Sequence, residues 1–149
     1  MLGRDARDVP AGQTRDYIFG YTILNDVSAR DVQTAHKQWY FGKSLDGFTP
    51  IGPCIVTADA FADYPPRLGI RSFVNGEKRQ DSNTALQIFD IDHVIAELSQ
   101  GMTLKAGTII ATGTPAGVGM GMDPPQFLKP GDVVRCEIEG IGTLTNPVK

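Results

Sequence analysis

Three short polar segments hold the residues of this chain that could do chemistry. In the first, Asn25-Asp26-Val27-Ser28-Ala29-Arg30-Asp31-Val32-Gln33, a carboxylate, a guanidinium and an amide follow the apolar, aromatic-rich run 17–24. That run reads as a buried strand, and the polar cluster after it as the start of a short helix. If the helix opens near Asp26, residues 26, 30 and 33 are spaced i, i+4 and i+7 and share one face, while Ala29, Val32 and Ala35 turn elsewhere. By composition alone the same residues make a capped, solvated helix face. The second segment, Gly42-Lys43-Ser44-Leu45-Asp46-Gly47, sets one cation among glycines. The third, Ala111-Thr112-Gly113-Thr114-Pro115-Ala116-Gly117-Val118-Gly119, brings hydroxyls and backbone N–H groups into a tight turn that could receive a carboxylate or an oxyanion. Loops held by rigid strands are where sites form, although a glycine-rich turn on its own is only a turn.

Two further motifs fail on inspection. Gly42-Lys43-Ser44 looks like the tail of a phosphate-binding loop, but Lys37 stands where the first glycine is needed, and Pro50 interrupts the long helix that must follow. Glu137-Ile138-Glu139 could clip a metal from one face of a strand. Placed directly before Gly140-Ile141-Gly142, it reads instead as the solvent face of a hairpin. His36 and His93 sit in predicted helices with no nucleophile or carboxylate arranged beside them, which makes a structural or exposed role the default for both.

The elements that must position these segments are short. With 17 glycines and 10 prolines, the chain has many turns and few long helices. The patterning predicts helices over 28–37 and 90–100, the second with acidic Asp90 and Asp92 at its start and Ile91, Val94, Ile95 and Leu98 as its apolar stripe. Strands are predicted over 53–57 and 68–74. Asn75-Gly76 is a strong hairpin signal, with 77–80 returning from it. Another strand, 108–112, leads into the glycine-rich segment. A closing hairpin pairs 132–138 with 143–148. The expected fold is α+β and β-rich: one domain over 1–149 with short helices.

Bulk properties narrow the partners. A 149-residue chain is one domain by length and can bury roughly 70% of its extended surface. Hydrophobic content of 41%, charged content of 21%, a net charge of −3 and a pI near 5.3 describe an ordinary soluble protein. They give no electrostatic reason to expect nucleic acid or an anionic membrane as partner. Apolar runs break well before the ~18 residues of a membrane span, and no signal-peptide core opens the sequence. Cys54 and Cys136, far apart and each in an apolar strand-like run, read as buried reduced thiols of a cytoplasmic protein, and neither has a CxxC neighbour.

Taken in order, the segment 25–33, Gly42-Lys43-Ser44, Gly52-Pro53, Val74-Asn75-Gly76, Thr112-Gly113-Thr114-Pro115-Ala116-Gly117-Val118-Gly119, Leu128-Lys129-Pro130-Gly131-Asp132 and Glu137-Ile138-Glu139-Gly140-Ile141-Gly142 resemble the fumarylacetoacetate hydrolase family over nearly the whole chain. The resemblance implies mixed β-strands rolled into a sandwich-like barrel, assembled as homodimers, and Mg²⁺- or Mn²⁺-dependent chemistry on small keto acids. Members of the family hydrolyse C–C bonds of acylpyruvates or diketo acids, decarboxylate oxaloacetate-like acids, or isomerise hydroxy-diene dioates, with a metal-stabilised enolate in common. Carried over by position, Asp26 matches the aspartate metal ligand. Arg30 and Gln33 match residues lining the substrate pocket, Lys43 the lysine that stabilises developing negative charge, and Thr114 the threonine that binds a carboxylate or oxyanion.

The sequence departs from the family pattern at its amino-terminal side. The family's Glu-x-Glu metal pair belongs to a strand just before a stretch like Gly3-Arg4-Asp5-Ala6-Arg7-Asp8-Val9-Pro10, where this sequence has only Met1-Leu2. The His/Glu water-activating pair of a more amino-terminal lid has no counterpart either. The expectation is therefore a domain truncated at its amino terminus, needing further carboxylates to complete its metal site. The leading function is C–C bond hydrolysis of a small keto or diketo acid. The alternatives are an oxaloacetate-type decarboxylase, a hydroxy-diene-dioate isomerase, or a non-catalytic module that binds a small anion or oligomerises.

Overall fold

The protein is described here by a computed structural model covering residues 1–35 and 37–149, so the expectation for His36 lies outside the described residues. Strands β1 (Gly20–Leu24) and β2 (Ile51–Thr57) form a two-stranded antiparallel sheet. Strands β3 (Gly69–Val74), β4 (Glu77–Asn83), β5 (Val133–Ile138) and β6 (Gly142–Pro147) form a second antiparallel sheet in the order β4-β3-β5-β6. Helices α1 (Arg30–Ala35) and α2 (Ile91–Ser99) are both short. The β-rich α+β class is as expected. The sheets meet where β2 passes β6: Pro53 lies against Gly142, and the Cys54 thiol points to the Ile141 carbonyl at 3.6 Å.

Both hairpins follow from their turn residues. Asn75 and Gly76 adopt φ of 51° and 84°, the doubly left-handed turn whose twist suits two antiparallel strands. The closing hairpin turns through Glu139 and Gly140, and Glu139 is spent on structure because its carboxylate accepts the Gly69 N–H at 3.1 Å. Glu137 pairs with Arg135 at 3.2 Å. Both glutamates thus lie on the closing hairpin, where the hairpin reading placed them, and each is engaged in a structural contact.

The main apolar core joins Leu2, Ala6, Val9, Ile95 and Leu104, with Tyr17, Ile18, Ile91 and Ile110 packed around it. Asp90 caps α2 by accepting the His93 N–H at 2.8 Å. The buried face of α2 differs from the predicted stripe. Leu98 is turned out, while Ser99 is fully buried, accepting the Val9 N–H and donating to the Ala96 carbonyl. A small hydroxyl with both bonds satisfied fits the tight approach of 8–9 better than leucine would. His93 is exposed and stacks on Phe89 with ring centroids 4.7 Å apart, in line with its default role.

Three expectations are corrected. Residues 108–112 form no strand: no described strand pairs with them, and among the described residues they meet a distant backbone through the Leu2 N–H, which donates to the Thr108 carbonyl at 2.9 Å. Ile110 reaches the core from this segment and Ile109 faces out. Of the two thiols expected to be buried, Cys54 is exposed and Cys136 half-buried, because β2 lies at the rim of its two-stranded sheet; both are free. Helix α1 begins at Arg30 rather than near residue 28. The Ala29 N–H is taken by the Gly42 carbonyl at 2.8 Å, and the Ala29 carbonyl receives the first turn's N–H from Gln33 at 2.9 Å. No described helix is long and apolar enough to cross a membrane.

Candidate functional site

Because α1 starts at Arg30, Asp26 lies outside the helix and shares no helical face with Arg30 and Gln33. A different contact gathers the segment. Tyr40-Phe41-Gly42-Lys43 turns back over α1, and Gly42 makes the approach possible: an added Cβ would lie 2.8 Å from the Gln33 nitrogen and 2.9 Å from the Ala29 carbonyl oxygen. The following residue, Lys43, then reaches the 25–29 segment. Its ammonium donates to the Asp26 carboxylate and to Ser28 Oγ, the latter at 3.2 Å. Lys43 is fixed at its own backbone too, where its N–H donates to the Tyr40 carbonyl and its carbonyl accepts from Thr49 Oγ1 at 3.1 Å each.

Helix α1 buries a polar side chain. Gln33 is 4% exposed and is the helix's one buried residue, with its Oε1 accepting from Arg30 Nη1 at 2.8 Å. A helix that turns a polar side chain inward and leaves Ala35 outside has a face built for something other than packing. Arg30 is thereby held by Gln33 with guanidinium donors to spare.

Thr114 is placed separately. It is exposed in the glycine-rich segment, and its Oγ1 accepts from Gln80 Nε2 of β4 at 2.8 Å. No hydrogen bond or ion pair among the described residues connects it to the other four. The structure thus brings Asp26 to Lys43 and Arg30 to Gln33, both pairs around the Gly42 contact, and holds Thr114 on a different support. Ser28, as a second partner of Lys43, and Gln80 do not stand out in the sequence. Ser28 has a usable signal in its position two residues after Asp26, whereas Gln80 has none beyond lying in a predicted strand.

The donor set fits a divalent cation in kind: Asp26 offers hard carboxylate oxygen and is exposed. It is one ligand only. No group of three or more His, Cys, Asp or Glu among the described residues could hold a metal, and the Asp26 carboxylate is engaged by Lys43. Burial raises Tyr21 to about 12 and raises the Cys136 thiol, which leaves both protonated and unreactive near neutrality.

Two antiparallel sheets with short helices, with Asp26, Lys43, Arg30 and Gln33 gathered around the Gly42 contact and Thr114 on a separate turn, define a β-rich α+β domain. The sequence assigns it more narrowly: the model of the fumarylacetoacetate hydrolase C-terminal domain matches residues 1–149, and the chain belongs to that family. It is 47% identical over 148 residues to the oxaloacetate tautomerase YisK of Bacillus subtilis, covering 99% of this chain and 49% of that protein. Its fold matches the fumarylacetoacetate hydrolase of the psychrophile Exiguobacterium antarcticum with a TM-score of 0.96 at 52% identity, over 100% of this chain and 53% of that one. It also matches a 5-carboxymethyl-2-hydroxymuconate delta-isomerase of Mycobacterium smegmatis with a TM-score of 0.86 at 46% identity, over 98% and 54%. The family includes enzymes, and the chain spans about half the length of the curated relatives it matches.

Proposed function

We propose that this chain carries the acid-binding half of an enzyme that forms enolates of small 2-oxo acids, with interconversion of keto and enol forms of an oxaloacetate-like acid as the leading reaction. The Lys43 ammonium, held between Asp26 and Ser28 by a turn that packs on α1 through Gly42, is the observation that carries this reading. When a proton leaves the carbon next to a carbonyl, charge builds on the carbonyl oxygen, and a fixed ammonium donor there lowers the barrier. Arg30, oriented by Gln33, matches a carboxylate in its planar fork. Thr114 donates to the second carboxylate or to the oxyanion. Similarity to a tautomerase, a hydrolase and an isomerase supports an enolate step that all three chemistries can share. A second reading, C–C bond hydrolysis of a diketo acid, is supported by the 52% identity to a fumarylacetoacetate hydrolase.

Asp26 would hold Mg²⁺ or Mn²⁺ as one ligand, with substrate oxygens, water and carboxylates beyond the described set supplying the others. When bound, the cation supplies Lewis acidity to the chelated oxygens. Calorimetry with Mn²⁺ and oxalate, an enolate mimic, tests this assignment. Asp26→Ala is expected to abolish oxalate-dependent Mn²⁺ binding, and retention at wild-type affinity would remove Asp26 from the site. Enolisation is followed directly by the ultraviolet absorbance of enol-oxaloacetate, and an unchanged decay rate in the presence of the protein would overturn the leading reaction.

The proposed enzyme is a homodimer. The exposed Leu86, Ile88 and Phe89, at 74%, 92% and 61%, supply apolar surface of the kind an interface covers. Sedimentation at micromolar concentration is expected to give a species of twice the 16.1 kDa chain mass; a monomer would exclude it.

A further inference from the structure

We infer that Gln80 is a positioning residue for Thr114, fixing the threonine hydroxyl as a hydrogen-bond donor toward the bound acid. This rests on the proposed role of Thr114 as an anion ligand. The chain of bonds has a defined direction. Ser72 Oγ on β3 donates to Gln80 Oε1 at 2.8 Å, and Gln80 Nε2 donates to the Pro115 carbonyl and to Thr114 Oγ1, each at 2.8 Å. A backbone carbonyl can only accept, so the Pro115 contact requires the amide nitrogen on that side and fixes which way the amide points. Both Nε2 hydrogens are then used. Thr114 Oγ1 receives one of them, which leaves its own proton free to be donated, and Thr114 is exposed. A lone threonine hydroxyl rotates between donating and accepting, whereas this one is held ready for an anion.

The backbone of β4 shows why Gln80 can reach the loop. Ser72 pairs with Gln80 but Phe73 pairs with Lys78, so Arg79 is an extra residue bulged out of the ladder. Bulges bend a strand and re-aim its side chains, and they recur beside functional sites. The same bulge presents the Arg79 carbonyl to the loop at Gly117, where any Cβ would overlap the carbonyl oxygen. The Arg79 side chain grips the loop farther on, through Gln126 Oε1 and through Met122 Sδ at 3.0 Å. One irregular step of β4 thus supports the glycine-rich segment, and Gln80 supplies the contact with chemical consequence.

A plain staple would also bond Gln80 to this loop, and the test separates the two roles. Gln80→Glu keeps the shape and the Ser72 contact but turns both donors into acceptors, so the Thr114 hydroxyl is drawn inward. With the full chain and oxaloacetate, KM is expected to rise roughly tenfold or more, the worth of one hydrogen bond to a charged group, with kcat changed less. Oxalate affinity measured by calorimetry should fall in parallel. Thr114→Val should show a similar loss, and Gln80→Glu added to Thr114→Val should cost nothing further, since the hydroxyl it acts through is gone. Gln80→Met, uncharged and without donors, is the second variant should the glutamate perturb folding. A full additional loss in the Thr114→Val background, or wild-type KM in both Gln80 variants, overturns the inference while leaving Thr114 in place. Unchanged KM and oxalate affinity in Thr114→Val alone, or a wild-type chain that binds neither acid, overturns the reading of Thr114 and the inference with it.

Discussion

Lys43→Met is expected to lower kcat for oxaloacetate enolisation by roughly 10²–10³-fold, the usual cost of removing one fixed donor from a developing oxyanion. The thermal midpoint should hardly move. Lys43 and Asp26 keep 30% and 41% of their side chains exposed, and an ion pair that open to solvent contributes about 0–1 kcal/mol. That separation between activity and stability distinguishes a residue placed for chemistry from one placed for folding. Lys43→Arg is not expected to restore the rate. A compact ammonium meets one Asp26 oxygen and one serine oxygen from the short turn Phe41–Lys43, whereas a planar guanidinium is longer and presents its donors as a fork. Steady-state rates beside a melting curve decide the matter, and a Lys43→Met variant within tenfold of wild-type kcat would take Lys43 out of the proposed chemistry.

Much of the arrangement around Lys43 is legible in the amino-acid sequence, though for reasons that differ between its parts. Hairpins are readable because turn chemistry is local: Asn75-Gly76 takes a doubly left-handed turn wherever it occurs between strands. The candidate residues stand out through motif order. Their grouping does not, because it depends on a tertiary contact. Spacing alone places Asp26 on the face of α1 with Arg30 and Gln33. What joins the segments instead is Gly42 pressing on Ala29 and Gln33, which starts the helix late and brings Lys43 to Asp26. The 108–112 segment fails for a related reason, since a β-propensity run becomes a strand only when another backbone lies alongside. The bulge at Arg79 leaves no mark in the sequence because Arg79 and Gln80 are ordinary polar strand residues, and only the register of β3 against β4 exposes it.

That bulge also sets a large stability effect expected outside the core. Gly117→Ala should destabilise the fold by about 2–5 kcal/mol, combining strain at a left-handed backbone with overpacking against a backbone oxygen. Gly117 has φ of +106°, which an alanine adopts only under strain, and its missing side chain is the space the Arg79 carbonyl fills. Neither atom can retreat cheaply. Arg79 is flanked by the paired residues Lys78 and Gln80, and its guanidinium is tied to Glu77 at 3.3 Å as well as to Gln126. On the loop side, Pro115 and Thr114 are tied to Gln80. If the loop yields, it does so by peeling from β4, which breaks the Gln80–Thr114 bond and weakens acid binding as Thr114→Val would. Gly121→Ala is the control, because φ there lies outside the left-handed region and an added Cβ meets only Val118 Cγ2 at 3.8 Å. Denaturant midpoints for the two alanine variants, with oxalate affinity measured on whatever remains folded, test the claim together. Equal midpoints would mean that the loop is not seated on the β4 bulge. A lowered Gly117→Ala midpoint with intact oxalate affinity would mean that the seat serves the fold without serving Thr114.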